Sequence, residues 1–480
     1  MRAYKTLLFI LTVLLVLGLI SFLSPEEGWM IGDKNFYFPT VEEMVNEEPE
    51  HIVAASRRMM EIEESFRIQQ QKDSIAYADS LSFYLSFFKS NPSRIELPGN
   101  NPNYFHELFA SFDSCVSRNE LIHVLHYGDS QIEGDRITGT IRQKLQETFG
   151  GNGPGLLPAV QLIPSASVGQ TSSENITRYT VSGSHQNRAS HRRYGVLGQL
   201  GVTEGESYIS FATRNWKDTY ENVKTFDCIR LFVGRTSSGF KADIILPDKT
   251  ILRGKPQTIN SSLTVYSWKP ENPVKKFDLR MSGSGEIYGI ATDGNAGIAL
   301  SNIPYRGSSG TFYTSMDSLL LASMYKELNT RLILLEFGGN VVPYAETEKS
   351  IADYKDNISR QLAFLRNVCP EAKIVFIGPA DMSTKLRGKL QTYPHLEQLI
   401  AALKEAALDN GVAFWNMYEV MGGKDSMISW VKNSPALAAP DYIHFSGRGA
   451  IRMGELFFDS FMIYYDYYKF DREHPRKQRR

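Results

Sequence analysis

The stretch "HVLHYGDSQIEGDR", from His123 to Arg136, decides the fold. It begins as an apolar run, ends that run in Gly-Asp-Ser, and continues at once into a charged segment typical of a helix. Ser130 is therefore expected where a strand turns into a helix. A serine in that position either caps the helix or presents its hydroxyl as a nucleophile. The rest of the chain has to distinguish these two interpretations.

The composition is that of an ordinary globular protein. The chain has 480 residues, of which 42% are hydrophobic and 22% charged, so two or three structural units are expected. The formal net charge of -1 provides no field that would attract nucleic acid, and no nucleic-acid partner is predicted. Cys115, Cys228 and Cys369 are far apart and form no CxxC spacing. This pattern favours buried thiols over a zinc site. It leaves one disulfide between two of the three cysteines as an alternative.

The N-terminus carries a candidate membrane segment. Arg2 and Lys5 precede an uncharged run from Leu7 to Leu23, whose length lies between a signal-peptide core and a spanning helix. Because no small-residue cleavage site follows, residues 1–24 are predicted to be an uncleaved signal anchor rather than a cleaved signal peptide. The positive end would stay in the cytoplasm, which leaves the bulk of the chain on the periplasmic, extracytoplasmic side.

The remaining sequence divides by its patterning. Residues 25–101 are charged and Gln-rich, which indicates a stalk and N-terminal helices. Strands alternate with helices over 102–165 and again over 286–468, which predicts a three-layer α/β/α domain around a parallel sheet. Between them, 166–285 contains short β-branched and aromatic segments typical of an inserted β-sandwich. Residues 469–480 form a basic tail, which is expected to be solvated.

Polar clusters follow three of the predicted strands. Gly-Asp-Ser ends at Ser130, "RLILLEFGG" leads to Asn340, and Asp441 and His444 lie in the loop before the last predicted helix. A turn of small residues, "YRGSSG", separates the first two clusters. The carboxyl ends of parallel strands meet at one edge of the sheet, so these groups are expected to converge there.

The converging groups are those of a serine hydrolase. Ser130 would be the nucleophile and needs an adjacent base, which His444 would supply. Asp441, three residues earlier, would accept the other ring N–H and fix the tautomer. The tetrahedral oxyanion needs hydrogen-bond donors. The Ser130 amide, a glycine amide of the "YRGSSG" turn and the Asn340 side chain are candidates.

Four short motifs, taken in this order along the chain, resemble those of the SGNH, or GDSL, hydrolases. They are Gly-Asp-Ser, a lone Gly, Gly-x-Asn and Asp-x-x-His. The resemblance covers 121–150 and 285–468 and implies a flavodoxin-like α/β sheet. It also implies a catalytic triad and an oxyanion hole, which correspond to Ser130, Asp441, His444, Gly307 and Asn340. Gly310 competes with Gly307 in the alignment. The family often continues Gly-x-Asn with Asp, whereas Val341 follows here.

The stretch from "YGDSQIEGD" to "LQETFGGNGPGLLP", followed by the β-rich insert, makes the chain similar to extracytoplasmic peptidoglycan O-acetylesterases and alginate O-acetyltransferase-like proteins. Some of these proteins carry a carbohydrate-binding-like module, which the resemblance implies for residues 166–285. This resemblance implies an esterase that removes O-acetyl groups from a cell-envelope polysaccharide, attached to the membrane through its N-terminal helix. Two alternatives stay open. One is an O-acetyltransferase with the same triad, served by a membrane-bound acyltransferase partner, and the other is an inactive glycan-binding scaffold. Metal-protease and phosphate-loop motifs are absent from the sequence, so neither a metal nor a cofactor is expected.

Several other polar residues receive structural interpretations. Asp129 is expected to bind backbone amides, and Gln131 and Asp135 to begin the helix. Trp216 and Trp268 are assigned to the sandwich core rather than to sugar stacking. Four residues of the insert are weighed as glycan contacts, although a solvated loop is favoured: His185, His191, Arg192 and Arg193.

Overall fold

The structure, a computed structural model, describes residues 2–23, 29–31, 34–36, 50–70, 77–183, 187–216, 219–259 and 262–474. The segment predicted as an anchor forms the helix Arg2–Leu23. Across the described residues, no helix is long and apolar enough to cross a membrane. The anchor interpretation therefore stays a prediction. Residues 475–480 of the predicted basic tail and His185 lie outside the described residues.

A six-stranded sheet forms the centre of the molecule. Its spatial order is Gly297–Pro304, Leu121–Gly128, Thr330–Glu336, Lys373–Ile377, Ala413–Trp415 and Ile95–Glu96. The first five strands are parallel, and the short edge strand Ile95–Glu96 is antiparallel. Numbered along the chain, the parallel strands run in the order 2-1-3-4-5, which is the flavodoxin-like arrangement.

Helices cover both faces of this sheet, and its strands accordingly carry apolar side chains on both faces instead of alternating apolar and polar residues. Leu125 and Tyr127 point into one buried cluster, while Ile122 and Val124 point into the other. The helices on the first face are Ser318–Glu327, Glu348–Val368 and Leu396–Asp409. Those on the second face are Glu50–Gln70, Tyr77–Ser90, His106–Cys115, Arg136–Phe149, Ser426–Lys432 and Gly447–Glu473. The three-layer α/β/α arrangement follows.

Two antiparallel sheets occupy the interruption between the first two parallel strands. One has the order Pro256–Ile259, Thr264–Trp268, Cys228–Gly234, Gly285–Asp293, Gln199–Thr203 and Ile176–Thr180, with Gly155–Leu157 also paired to Gly285–Asp293. The other has the order Ile251–Arg253, Lys241–Ile245, Lys276–Ser282, Ser207–Thr213 and Val168–Ser172. Side chains from both sheets, such as Leu231 and Leu279, share one buried cluster.

The boundaries of the insert differ from the predicted ones. Gly285–Asp293 pairs antiparallel with Cys228–Gly234, and Gly155–Leu157 pairs with the same strand. The insert therefore extends from about 155 to 293, and the α/β domain resumes at Gly297 instead of residue 286. Every residue of Gly285–Asp293 is buried, so its sequence resembles a strand of a covered parallel sheet and does not reveal its partner.

The largely apolar segment "VAFWNMYEV", residues 412–420, suggests a single strand by its composition, but only its first part forms one. The strand ends at Trp415, and Met417–Val420 forms a short helix. Asn416 begins that helix by accepting a hydrogen bond from the Glu419 amide with its side chain (3.3 Å). A side-chain cap of this kind stabilises a helical turn even where the flanking residues suit a strand.

We expect the buried carboxyl group of Asp381 to make the free energy of unfolding depend on pH between about pH 4 and pH 7. Burial, with Asp425 nearby, raises the pKa of Asp381 from 3.8 to about 7, although hydrogen bonds from Met427 and Thr392 oppose the shift. The folded state therefore binds a proton more tightly, and the stabilisation is lost as pH rises toward 7, at roughly 1 kcal/mol per pH unit.

The Asp381→Asn variant tests this. Its amide can donate to Thr392 and accept from the Met427 amide, the contacts that Asp381 makes at 2.7 and 2.8 Å. Denaturant unfolding at pH 5 and pH 8 should show a smaller fall in the free energy of unfolding for the variant than for the wild type. An equal fall in both proteins would contradict the assignment.

Candidate active site

Ser130 lies two residues after the end of the first parallel strand, at the start of a 3₁₀ turn, Ser130–Asp135, that precedes the helix Arg136–Phe149. Asp129 caps this turn by accepting a hydrogen bond from the Gln131 amide at 3.0 Å. Capping is therefore done by Asp129, and the Ser130 hydroxyl has a different partner. The cap interpretation of Ser130 is wrong.

That partner is His444. Ser130 Oγ lies 2.8 Å from His444 Nε2, and His444 Nδ1 lies 2.8 Å from Asp441 Oδ2. A carboxylate can only accept here, so the Nδ1 atom carries the proton and Nε2 is left as the acceptor for the serine hydroxyl. The three side chains thus form one directed chain of hydrogen bonds over residues more than 300 positions apart.

Asp441 is held in the form that this chain needs. Its second oxygen, Oδ1, accepts hydrogen bonds from the backbone amides of Ile443 (2.9 Å) and His444 (3.0 Å). Partial burial raises the pKa of Asp441, but the hydrogen bonds from His444 and Ile443 outweigh it and keep the pKa below its ordinary value. The carboxyl group is therefore ionised at neutral pH.

Asn340 lies beside the serine, but its amide is already engaged. Nδ2 donates to Asp129 Oδ2 (3.0 Å) and to the Ser308 carbonyl (3.1 Å), which uses both amide hydrogens. Asp129 itself is buried, and desolvation, together with the nearby Glu336, raises its pKa to about 7 against the opposing hydrogen bonds. Asn340 could donate to an oxyanion only by sharing or giving up its hydrogen bond to Asp129 or to the Ser308 carbonyl.

The two glycines that competed for the oxyanion hole have different surroundings. Gly307 lines the same cleft as Ser130, and an added Cβ there would meet nothing within 4 Å. Gly310 donates its amide to Ser308 Oγ at 3.1 Å and packs against Phe337. Among the described residues, no acceptor is paired with the amides of Ser130 or Gly307, which leaves both free as donors.

An ion pair fixes the turn that carries Gly307. Arg306 donates two hydrogen bonds to Glu133, at 2.7 Å and 2.6 Å. Glu133 belongs to the turn that also contains Ser130. This fork-like contact joins the loop of the candidate nucleophile to the loop of the candidate oxyanion donor.

Gln131 makes a connection that the sequence analysis missed. Its Nε2 donates to the Ile443 carbonyl (2.7 Å), and its Oε1 accepts from the Phe445 amide (3.3 Å). One side chain thus binds the backbone on both sides of His444. No sequence pattern signals this contact, because it depends on two loops that only the folded chain brings together.

We expect Gln131→Ala to lower kcat for a small acetyl ester by roughly 30-fold, since two hydrogen bonds that orient His444 are lost, each worth about 1 kcal/mol. KM and the melting temperature should change little. In Gln131→Glu, one carboxylate oxygen still accepts from the Phe445 amide, but the other faces the Ile443 carbonyl and repels it. This variant should have a kcat as low as that of Gln131→Ala. Gln398→Ala, at an exposed position, is the matched control. A Gln131→Ala variant with wild-type kcat would exclude this positioning role.

The cleft around these residues has a volume of about 650 Å³. Arg136 and Arg306 contribute cationic side chains to its wall, and Tyr344 lies at its edge with 76% of its surface exposed. In the described part of the chain, no group of three or more His, Cys, Asp or Glu side chains could hold a metal ion. The three cysteines are buried free thiols.

Three of the residues weighed as glycan contacts in the insert, His191, Arg192 and Arg193, form internal bonds, and the fourth, His185, lies outside the described residues. Arg192 donates to the carbonyl groups of Ser315 (2.8 Å) and Thr314 in the α/β domain. His191 pairs with Glu286 at 2.9 Å, and Arg193 donates to the Ser262 carbonyl at 2.6 Å. The Arg192 contacts join the insert to the α/β domain, whereas those of His191 and Arg193 lie within the insert. Arg192 is exposed, and His191 and Arg193 are partly buried.

The two tryptophans of the insert differ from each other. Trp268 is buried in the core between the two sheets, stacked near Tyr266. Trp216 was also assigned to that core, and this was wrong, because 55% of its surface is exposed. The guanidinium group of Arg214 covers its ring at 4.3 Å from the centroid.

Comparison of folds identifies a relative. A peptidoglycan O-acetylesterase matches with a TM-score of 0.60 and 19% sequence identity, over 77% of this chain and 97% of the other. The chain has an SGNH hydrolase fold. At this identity the likeness establishes the fold alone.

More distant matches include two carbohydrate esterases. A family two carbohydrate esterase from Cellvibrio japonicus has a TM-score of 0.25 and 9% identity, over 62% of this chain and 99% of the other. Est24, a carbohydrate acetylesterase from Sinorhizobium meliloti, has a TM-score of 0.26 and 14% identity, over 34% and 78%. No protein-family model matches the chain, and no curated protein sequence is significantly similar to it.

Proposed function

We propose that the protein is a serine esterase that removes O-acetyl groups from a cell-envelope polysaccharide. The observation that carries the proposal is the chain of two 2.8 Å contacts from Ser130 through His444 to Asp441. Its position in an open cleft at the carboxyl edge of the parallel sheet supports a role toward substrate rather than toward the core. An esterase of this kind needs neither a metal nor a cofactor.

In the first half of the reaction, Ser130 Oγ attacks the acetyl carbonyl carbon while its proton passes to His444 Nε2. The negative charge that forms on the carbonyl oxygen is stabilised by the Ser130 and Gly307 amides, with Asn340 as a third donor when it shares one of its present bonds. The ester C–O bond then breaks, and His444 returns the proton to the sugar oxygen. The products are a free sugar hydroxyl and an acetyl-Ser130 ester.

In the second half, water enters the cleft and gives a proton to His444 as it attacks the acetyl-Ser130 carbonyl. Collapse of this second tetrahedral species breaks the bond to Ser130 Oγ, which recovers the proton from His444. Acetate leaves. Throughout, ionised Asp441 keeps Nδ1 protonated and stabilises the imidazolium formed in each half reaction.

The substrate class is supported by the fold comparison and by the sequence resemblance, both of which point to O-acetylated envelope glycans. The predicted signal anchor is consistent with an enzyme on the periplasmic side of the cytoplasmic membrane, attached through residues 2–23. An O-acetyltransferase would use the same first half reaction, with a sugar hydroxyl in place of water. The inactive-scaffold alternative is disfavoured by the short Ser130–His444 contact.

The test is acetate release from O-acetylated peptidoglycan by the full-length protein in detergent. Release of acetate in step with loss of polymer-bound acetyl groups is the expected result. A parallel reaction supplies an unacetylated glycan together with a soluble acetyl donor. Transfer of acetyl groups to that glycan without acetate release would replace hydrolysis by transfer, and the absence of both reactions would contradict an enzymatic role.

A further inference from the structure

A chain of buried polar side chains lies behind the carboxyl edge of the parallel sheet. His126, in the first parallel strand, is level with Asn302 in the neighbouring strand. On the other side, Glu336 ends its strand and is paired with Gly128. His126 and Glu336 are 0% and 3% exposed. Neither takes part in the proposed reaction, so two ionisable side chains in the interior call for an explanation.

The hydrogen bonds of this chain have a defined direction. Asn302 Nδ2 donates to the Ile132 carbonyl at 2.9 Å, which leaves Oδ1 as the acceptor. The Thr138 hydroxyl donates to that oxygen at 2.8 Å and has no second hydrogen. In its 3.0 Å contact with His126 Nδ1, Thr138 must therefore accept and the ring must donate. His126 thus carries a proton on Nδ1.

The other ring nitrogen of His126 faces an acid. Nε2 lies 3.3 Å from Glu336 Oε2, and among the described residues neither Glu336 side-chain oxygen has a hydrogen-bond donor. In a neutral ring protonated on Nδ1, Nε2 is an acceptor, and so is each oxygen of an ionised carboxylate. Two buried acceptors cannot pair, and leaving both unpaired is costly. One proton must lie between them, on Glu336 or on the ring.

The chain is connected to every loop that supplies a candidate catalytic group. Asn302 lies on the strand that leads to Gly307, and it bonds to the backbone of the turn that begins at Ser130. Glu336 ends the strand that leads to Asn340. The same hydrogen bonds therefore link the segment of the candidate nucleophile to the two segments that carry candidate oxyanion donors.

We propose that Thr138, His126 and Glu336 are positioning residues for the oxyanion hole, and that His126 and Glu336 share one buried proton. The chain keeps the strand ends that lead to Gly307 and Asn340 at a fixed offset from the serine turn. Donors aimed at an oxyanion act in the transition state and contribute little to substrate binding. The positioning role rests on the proposed function, whereas the location of the proton does not.

The Thr138→Val variant tests the middle of the chain, because valine has the shape of threonine without its hydroxyl. We expect kcat for a small acetyl ester to fall about tenfold with KM unchanged, which is less than the roughly 10²- to 10³-fold cost of removing an oxyanion donor. Thr138→Ser keeps the hydroxyl and should recover most of the wild-type kcat. Thr148→Val, at an exposed position of the same helix, is the matched control and should have the wild-type kcat.

Two substitutions of Glu336 separate its hydrogen bond from its charge. Burial first, with a contribution from the Glu336 carboxylate, raises the pKa of Asp129 to about 7, and Glu336→Gln and Glu336→Met both remove that carboxylate. Only glutamine can donate an N–H to His126 Nε2. Glu336→Gln should stay within about threefold of the wild-type kcat, and Glu336→Met should be about tenfold slower.

The melting temperature of Glu336→Met should not fall, since an apolar side chain of similar size replaces a buried acid. A lower kcat without a loss of stability is the mark of positioning rather than of general support for the fold. Equal kcat values for Glu336→Gln and Glu336→Met would overturn the positioning role.

Solid-state NMR of the full-length wild-type protein, labelled with ¹⁵N in its histidines, tests the proton directly and needs no activity. The His126 signals are identified by their shift in Glu336→Gln. The expected spectrum shows a proton on Nδ1, with Nε2 either protonated as well or hydrogen-bonded by Glu336. A ring protonated on Nε2 alone would overturn the shared proton.

The outcomes distinguish the positioning chain from the esterase. A wild type that hydrolyses no acetyl ester would contradict the proposed function, and with it the positioning role. An active wild type whose kcat is unchanged in both Thr138→Val and Glu336→Met would contradict the positioning role alone. Circular dichroism and melting temperature of each variant exclude misfolding as the cause of a lower kcat.

Discussion

Replacing Ser130 by alanine should lower the hydrolysis of a chromogenic acetyl ester by roughly 10³-fold or more. The reason is that the Ser130 hydroxyl oxygen, hydrogen-bonded to His444 at 2.8 Å, is the only protein atom in the proposed mechanism that forms a bond to the acetyl carbon. Labelling by a fluorophosphonate, mapped by mass spectrometry, should be found at Ser130 in the wild type and be absent from the variant.

The fold should survive this change, because the structural cap of the turn is Asp129 and not Ser130. An unchanged melting temperature for Ser130→Ala is therefore part of the expected result. Ser117→Ala, an exposed serine near the end of a helix, is the matched control and should retain both activity and labelling. Wild-type activity in a well-folded Ser130→Ala protein would show that Ser130 is not the nucleophile.

Asp441→Asn should lower kcat by about 10²- to 10⁴-fold. The carboxylate accepts from His444 Nδ1 with one oxygen and from two backbone amides, those of Ile443 and His444, with the other. An asparagine has one acceptor and one donor, so its NH₂ group must face either the ring or the two amides, all of which are donors. If the NH₂ group faces the ring, His444 loses the tautomer in which Nε2 can accept from Ser130. If it faces the two amides, the loop that carries His444 loses its geometry.

Steady-state kinetics and the rate of fluorophosphonate labelling check this prediction. Asp248→Asn is a suitable control, since Asp248 accepts a hydrogen bond from the Thr250 amide at 2.9 Å in a loop of the insert and lies outside the proposed machinery. That variant should react at the wild-type rate. If Asp441→Asn is also as fast as the wild type, the carboxylate has no part in orienting His444.

Local patterning was enough to predict the α/β part of the fold. The apolar strands and amphipathic helices are visible because both faces of the sheet are covered, so strands such as Thr330–Glu336 are buried almost continuously and carry an unbroken apolar run, Leu332 to Leu335. The same continuity misled the analysis at Gly285–Asp293, which is equally buried but belongs to the insert. Hydrophobic periodicity reports burial, and it does not report which neighbour provides it.

The candidate site was predictable to the extent that its residues stand at the ends of strands. Ser130, Asn340 and His444 could be assigned to one edge of the sheet from sequence order and strand polarity, and the structure brings them together there. The assignment of catalytic roles to them is a proposal that the experiments above test. What the motifs could not predict is that both amide hydrogens of Asn340 are already bonded.

By itself the sequence determined which residues carry reactive groups and that the parallel strands would bring them to one edge, since strand direction and chain order are local properties. Only the tertiary structure decided that Gln131 binds both sides of His444 and that Arg306 joins the oxyanion turn to the serine turn through Glu133. It alone decided that Trp216 is exposed over Arg214. Each of these depends on the distance between segments far apart in the chain, which is set by packing.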